Sequence, residues 1–254
     1  MYATNDYSQY ENARSVSLSH ATVSTYGFLN SASAVLYENS FVSATYENKY
    51  ITKELSSTTI AGLYKSKFTD LAFCMNYFGY DIFNKTSISI SAAKDLSEWF
   101  ALGVRINYSS FYFHSESGRS NQLSADIGFL FFRNRIITAG INIGNLFRVR
   151  TDHNYDPLKL SEPVHIECGL SYKTLDDLNL LFQIAKTGKQ DLKLALAAEY
   201  TGIHNFPVRV GVSGMPFSPS FGVGYKYNFL AIDIASGYHI DLGFSPTVTL
   251  SCSF

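Results

Sequence analysis

The chain has 254 residues, a net charge of −1 and 16% charged residues, while its aromatic residues reach 15%. Low charge combined with many Phe and Tyr side chains excludes a disordered chain, and the near-neutral balance argues against binding nucleic acid through a basic field. No apolar window is long enough for a transmembrane helix, the three cysteines have no metal or disulfide spacing, and the N-terminus lacks a signal-peptide pattern.

Residues 1–38 come first along the chain and show no regular alternation of apolar and polar side chains. They are rich in small and hydroxylated residues and short of charge. From about residue 39 onward the dominant period is two, which is typical of β-strands with one apolar and one polar face. In the last ten residues, 245–254, the apolar parity consists of Val248, Leu250, Cys252 and Phe254.

The same period predicts fourteen strands, most of them about ten residues long, which is the length that a tilted strand needs to cross a bilayer. Strands of soluble proteins are usually about 5–6 residues long. We therefore predict an all-β fold, a transmembrane antiparallel β-barrel of about 14 strands over residues 39–254. In chain order the predicted strands cover residues 39–47, 55–65, 70–79, 85–94, 98–112, 121–132, 135–145, 163–173, 176–186, 191–201, 205–213, 217–227, 229–238 and 245–254.

The connections and the strand ends favour this barrel over a soluble β-sandwich, which would give the same alternation. Connections after the even-numbered predicted strands are short, and those after the odd-numbered strands are mostly longer. Outer-membrane barrels have this asymmetry, with short periplasmic turns and longer external loops. Aromatic residues such as Tyr64, Trp99 and Tyr227 stand at strand ends, where a membrane interface favours them.

Charged residues within the predicted strands share the polar parity, so they are expected to face the barrel interior. Basic and acidic residues are balanced there, which argues against an ion-selective pore built from rings of one sign. Ion pairs that cross-link the barrel explain them better than substrate contacts. The predicted lumen charge network consists of Arg105, Asp126, Glu167, Lys193, Glu199, Arg209, Lys226 and Asp233.

The two ends of the chain carry further predictions. A barrel of this size is too wide for its own side chains to fill. We expect residues 1–38 to enter it from the periplasmic side as an N-terminal luminal plug or hatch. The alternative is that they form a disordered leader. The final strand resembles the insertion signal of bacterial outer-membrane barrels. That predicted signal consists of Val248, Leu250, Cys252 and Phe254.

No arrangement of residues indicates catalysis. The six histidines are scattered, and none lies in a metal-binding or nucleophile motif. The pairs Asp152–His153 and His239–Asp241 have residue types found in hydrolase sites, but such pairs are common in solvated loops. The sequence predicts no catalytic residue, no cofactor and no metal site.

Four stretches of the chain resemble PorV/PorQ-type barrels of the type IX secretion system, which are similar to FadL-type outer-membrane proteins. They are ENARSVSLSHATVS (11–24), YFGYDIFN (77–84), LSEWFALGVRINY (96–108) and GYHIDLGFSPTVTLSCSF (237–254). The resemblance implies a barrel with an N-terminal luminal segment in the outer membrane of a Bacteroidota-like organism, with the signal peptide already removed. The chain departs from the family at residues 28–39, where FLNSASAVLYEN replaces the Asn-Pro-Ala motif.

The resemblance leaves two functions open beside a soluble β-protein. PorV-like proteins hold partner proteins at their extracellular side, and FadL-like proteins pass a lipid through a hatch. Because the loops are short and no apolar tunnel is evident, we expect a non-enzymatic accessory barrel of a protein secretion or surface-attachment machine. The alternative is a FadL-like channel for hydrophobic small molecules.

The accessory role implies a particular set of partners. We expect outer-membrane lipid and another large outer-membrane or surface protein, with a bound lipid or detergent molecule compatible and no nucleic acid. The candidate surface is the longest loop, residues 145–162, with 77–84 and 237–245 beside it. The candidate partner-binding residues of this loop are Phe147, Arg148, Arg150, Asp152, His153 and Tyr155.

Overall fold

The computed structural model describes residues 11–114, 118–133, 136–150, 162–214 and 217–254. These residues form one closed β-barrel, in which each strand pairs antiparallel with its neighbours in the chain and the first strand pairs with the last. The predicted all-β fold, the antiparallel barrel and the number of strands are confirmed. The strands are β1 (Phe41–Asn48), β2 (Ser56–Tyr64), β3 (Asp70–Gly79), β4 (Phe83–Ser97), β5 (Phe100–Phe113), β6 (Gly118–Arg133), β7 (Ile137–Arg150), β8 (His165–Leu175), β9 (Leu178–Thr187), β10 (Lys193–Tyr200), β11 (Val208–Ser213), β12 (Ser218–Tyr227), β13 (Leu230–His239) and β14 (Gly243–Ser253).

Alternation along the strands gives the wall two different faces. In β3 the side chains of Leu71, Phe73 and Met75 point outward and are exposed, whereas Ala72 and Cys74 point inward and are buried. The same alternation recurs along the other strands, and the inner positions are mostly Ser, Thr, Asn, Gly and Ala. The apolar face therefore lies on the outside, which is the reverse of a soluble barrel.

Residues 11–38, named the luminal segment below, lie against the inner face of the wall. Helix α1 (Ala13–Ser17) starts with a capping box, in which Ser15 N donates to Asn12 Oδ1 (2.7 Å) and Asn12 N donates to Ser15 Oγ (3.1 Å). Helix α1 contacts β11 to β14, and a 3-10 helix (Ser31–Leu36) contacts β3 to β6 across the barrel. The segment therefore crosses the bore before the chain enters β1.

Strand β7 is longer than the sequence pattern predicts. The pattern predicts that it ends at residue 145, but the strand continues to Arg150 and pairs with β6 on both sides of a bulge. Asn145 adopts a left-handed conformation (φ 56°) at a bulge between Ala125 and Ile127 of β6, where the register shifts. The bulge places two extra residues in β7 between Ile143 and Phe147, and Asn145 turns inward to accept a hydrogen bond from Ser124 Oγ (2.7 Å). The alternation is therefore interrupted at residues 144–146, and it resumes with the same parity beyond them.

The connections differ in length less than the sequence predicts. Turns after even-numbered strands run from two residues, at 176–177, to seven, at 201–207. On the other side, the connections 80–82 and 240–242 have only three residues, and the β1–β2 connection holds two short 3-10 helices (Lys49–Ile51 and Lys53–Leu55). Only the connection 151–164 is long. No helix in the described ranges is long and apolar enough to cross a membrane.

Candidate functional site

A row of inward-facing glycines forms the surface on which the luminal segment lies. A Cβ atom added to Gly103 would lie 2.3 Å from Ala32 N, and one added to Gly140 would lie 2.1 Å from Val23 O. Both distances are too short for any side chain, so the backbone of the segment approaches the wall as only glycine permits. The glycines that meet the luminal segment in this way are Gly103, Gly128, Gly140, Gly169, Gly211 and Gly222.

Arg14 of α1 joins the luminal segment to the wall through a shared carboxylate. Its Nη2 lies 2.5 Å from Glu199 Oε2, and its Nε donates to Glu199 Oε1 over 2.9 Å. Arg209 donates to the same Oε1 (2.7 Å) and reaches Asp233 Oδ1 (2.5 Å) with its Nη1. The Arg14 guanidinium also lies 5.7 Å from the centre of the Tyr26 ring, a distance that suits a cation–π contact. Two basic and two acidic groups thus form one cluster between the segment and β10, β11 and β13.

A second ion pair holds the middle of the segment against β5 and β6. Arg105 Nη1 lies 3.5 Å from Asp126 Oδ2 and donates to the carbonyl of Leu29 (3.2 Å), while Nη2 donates to the carbonyl of Phe28. Asp126 Oδ1 accepts a hydrogen bond from Asn145 N (2.8 Å), at the bulge of β7. The ion pair is buried, so removal of either member would leave an uncompensated charge.

The end of the β7–β8 connection is fixed inside the barrel by Glu162. Its Oε1 lies 2.5 Å from Lys85 Nζ and accepts a hydrogen bond from Ser109 Oγ (3.2 Å). Its backbone N–H donates to Gln122 Oε1 (3.1 Å), and its carbonyl accepts from Arg148 Nη1 (2.8 Å). Side chain and backbone are both held, so Glu162 covers the inner faces of β4, β5 and β6 near the start of β4.

The predicted lumen charge network is divided between separate places. The structure pairs Arg105 with Asp126, and it brings Glu199, Arg209 and Asp233 together with Arg14. Glu167 instead accepts a hydrogen bond from Asn142 Nδ2 (3.2 Å). Lys193 and Lys226 are exposed, at the start of β10 and near the end of β12.

The space between the luminal segment and the wall is small. A cavity of about 10 Å³ lies between them and is lined by Phe28, Ser31, Leu63 and Arg105, among others. This volume holds about one water molecule. At the end of the segment, burial raises the pKa of Tyr37 to about 12. A larger solute could pass this cavity only if the segment moved.

The structure describes the residues of the predicted insertion signal and half of those of the predicted partner-binding loop, and the roles of both remain predictions. Val248, Leu250 and Cys252 alternate outward along β14, and Phe254 is exposed just after it, with its N–H donating to Ser40 O (2.8 Å). The partner-binding loop begins later than predicted, because Phe147, Arg148 and Arg150 belong to β7. Asp152, His153 and Tyr155 lie outside the described residues.

The sequence pattern does not predict the positions of several residues of the site. Arg14 and Glu162 lie in stretches without a period, so no pattern assigns them a neighbour. Lys85 is the first residue of the predicted strand 85–94, where the alternation has not yet begun, although it lies on the inner parity of β4. The glycine row did leave a signal, because its members share the inner parity of their strands. Within the described ranges, no group of three or more His, Cys, Asp or Glu side chains is placed to hold a metal ion.

Comparison with known proteins identifies the fold but not a family. No family model and no curated protein matches the sequence. The crystal structure of the Pseudomonas putida toluene transporter TodX matches with a TM-score of 0.69 at 7% identity, over 96% of this chain and 97% of that one. The CymD monoaromatic hydrocarbon channel matches with a TM-score of 0.64 at 11% identity, over 97% and 94% of the two chains. A Pseudomonas aeruginosa FadL homologue gives 0.65 at 12% identity, over 96% and 98%. The chain therefore has the same fold as these barrels.

Proposed function

We propose that the chain is an outer-membrane channel for hydrophobic small molecules and that its luminal segment is the gate. One observation carries the proposal. The bore of a wide closed barrel is filled by a separate segment of chain and not by the side chains of the wall. An eight-stranded barrel can be filled by its own side chains, whereas a barrel of fourteen strands leaves a channel unless something occupies it.

The outer surface supports a location in a bilayer. Large apolar side chains are exposed on the outer face of strand after strand, among them Val42, Ile60, Ile106 and Leu250. A soluble monomer rarely exposes a continuous apolar surface of this extent. Aromatic side chains stand at the turns that follow even-numbered strands and resemble an interfacial girdle. The exposed aromatic residues at this end are Tyr64, Phe68, Trp99, Tyr172, Tyr200, Phe206, Tyr227 and Phe229.

Several contacts of the luminal segment are neutral hydrogen bonds, which water can replace. Ser19 N donates to Ser220 Oγ (3.1 Å), and the two hydroxyl oxygens lie 2.7 Å apart. Val23 N donates to Gln183 Oε1 (3.0 Å). Each such bond contributes about 0.5–1.5 kcal/mol net, because the same groups bond to water when the segment moves away. A segment held by many small polar contacts is suited to reversible displacement.

The similar structures favour the channel over the accessory role that the sequence resemblance implies. TodX is a toluene transporter, and CymD is a monoaromatic hydrocarbon channel. Monoaromatic hydrocarbons are therefore the first cargo class that we propose to test. The accessory role would depend on the β7–β8 connection, most of which lies outside the described residues.

The test measures uptake of radiolabelled toluene by cells that lack their own hydrocarbon channels. The native cysteines Cys74, Cys168 and Cys252 are first replaced by Ala, and two disulfide tethers then fix the luminal segment to the wall. The tethers join Ser19→Cys to Ser220→Cys and Ala32→Cys to Ala101→Cys, which are pairs in contact in the structure. We expect uptake with the reduced protein and loss of uptake on oxidation, with the untethered cysteine-free chain as the matched control.

The competing accessory role gives a different result. If the cysteine-free chain in its native membrane raises no uptake but purifies with a stoichiometric large surface protein, the channel proposal is wrong. Uptake that persists with both tethers closed would show that the luminal segment is not the gate.

A further inference from the structure

The two halves of the lumen differ in how they are closed. On the side of β3 to β7, inner side chains are buried along almost the whole height of the wall. The 3-10 helix Ser31–Leu36 covers the lower part, the pair Arg105–Asp126 crosses the middle, and Glu162 covers the upper part. The buried inner residues of this half include Ser87, Ser89, Ser91, Asn107, Ser109, Gln122 and Ser124.

The other half, along β9 to β13, is accessible from both ends. Near the β10 start, the inner residues Thr187, Lys193 and Ser213 are half-buried or exposed, and the His20 side chain of the luminal segment is 44% exposed below them. At the opposite end, Tyr26 is 40% exposed beside the Arg14 cluster. Solvent therefore reaches the luminal segment from both sides of this half.

A single stretch of the luminal segment separates these two accessible spaces. Residues 18–25 are buried apart from His20, and they form one layer of chain against β7 to β12. Leu18 and Ala21 pack against Leu181 and Ala195 in a small apolar cluster. This layer is thin when compared with the three successive barriers of the other half.

The same stretch has a backbone that favours rearrangement. Ser19 (φ 49°) and His20 (φ 65°) occupy the left-handed region, which is uncommon for residues other than glycine and has a conformational cost. Arg14 precedes the stretch and Tyr26 follows it, and the Arg14 guanidinium contacts Glu199, Tyr26 and Thr25 together. One side chain thus holds both ends of residues 18–25 and ties them to the wall.

We propose that solute crosses the barrel along the inner face of β9 to β13, that residues 18–25 are the movable gate of this route, and that the Arg14–Glu199 contact is its latch. The inference rests on the proposed channel function and adds the route and the moving part. The 3-10 helix and the half of the lumen along β3 to β7 stay closed during passage.

The route is tested first without any solute, by thiol labelling of two matched buried alanines in the cysteine-free chain. Ala195→Cys lies under residues 18–25, and Ala101→Cys lies under the 3-10 helix. Each is combined with Arg14→Ala, and a charged, membrane-impermeant methanethiosulfonate reagent is added to the protein in liposomes. We expect Arg14→Ala to accelerate labelling at position 195 by about 5- to 150-fold, as a loss of about 1–3 kcal/mol of coupling implies, and to leave position 101 unchanged.

Labelling that accelerates at position 101, at both positions or at neither would overturn the inference. Glu199→Gln serves as a second way to open the latch if Arg14→Ala reduces the yield of folded barrel, and the same outcomes decide. The barrel is checked in each variant by its circular dichroism.

Toluene uptake with single tethers separates the route from the proposed function. Closing only the Ser19→Cys/Ser220→Cys tether should abolish uptake, and closing only the Ala32→Cys/Ala101→Cys tether should leave it unchanged. The opposite pattern refutes the route but keeps the channel. Absence of uptake in every variant refutes the channel, while the labelling rates still show which part of the segment moves.

Discussion

Replacing Gly140 with Ala places a methyl group where the luminal segment lies. The added Cβ would be 2.1 Å from Val23 O and 2.6 Å from Val23 C, so either the wall or the segment must shift. Overpacking of this kind costs about 1–3 kcal/mol. Because the segment is held by polar contacts while β7 is paired on both sides, we expect the segment to move, and 1–3 kcal/mol corresponds to a 5- to 150-fold larger displaced population.

The assay is the labelling rate of a cysteine at the buried position Ala21, in the cysteine-free chain. Gly237→Ala is the matched control, because no atom lies within 4 Å of the Cβ that it adds to β13. We expect Gly140→Ala to label about 5–150 times faster than Gly237→Ala, with unchanged β-structure by circular dichroism. Equal rates in the two variants would refute the view that the glycine row holds the segment at contact distance.

Three further predictions concern the ion pairs and the lipid face. Glu199→Gln should lower the free energy of unfolding by about 3 kcal/mol, because two guanidinium groups lose their shared carboxylate, and Lys226→Gln, at an exposed site, should change the denaturation midpoint little. Glu162→Ala should lower the free energy of unfolding by about 3–5 kcal/mol, because it leaves the buried Lys85 without its carboxylate partner. Adding Lys85→Met should recover part of this loss, and additive losses in chemical denaturation would contradict the prediction. Ile106→Lys should lower the free energy of unfolding in a bilayer by about 2–4 kcal/mol, and Ser110→Lys, on the same face near the strand end, by about 0–1 kcal/mol. Equal losses for the two variants would place the outer face of β5 outside the lipid.

Most of the wall could be predicted because each strand has an apolar outer face and a small or polar inner face. Leu71, Phe73 and Met75 alternate with smaller residues for that reason, and one residue of shift would reverse the faces. The exception lies at Asn145, where a bulge with two extra residues in β7 interrupts the alternation. Strand β7 therefore extends five residues beyond its predicted end.

The contacts of the luminal segment could not be predicted, since they join residues that no local period relates. Arg14 and Glu199 are 185 positions apart, and their meeting depends on the path of the segment across the bore. Charge balance predicts internal ion pairs, and the structure pairs Arg105 with Asp126. It could not show that the partners of Arg105 include the backbone carbonyls of Phe28 and Leu29, because any sequence provides such groups.

The pairing of β1 with β14 has a consequence for the order of assembly. Phe41 pairs with Ser253 and Glu47 with Thr247, so the wall can close only after the last strand has been made. Residues 11–38 precede β1, so they are available to lie within the curling sheet before this seam forms. The segment can then serve as a core around which the hairpins gather, and its contacts with the inward-facing glycines can limit how tightly the sheet curves. A chain whose leading residues arrive late would have to thread them into a finished cylinder.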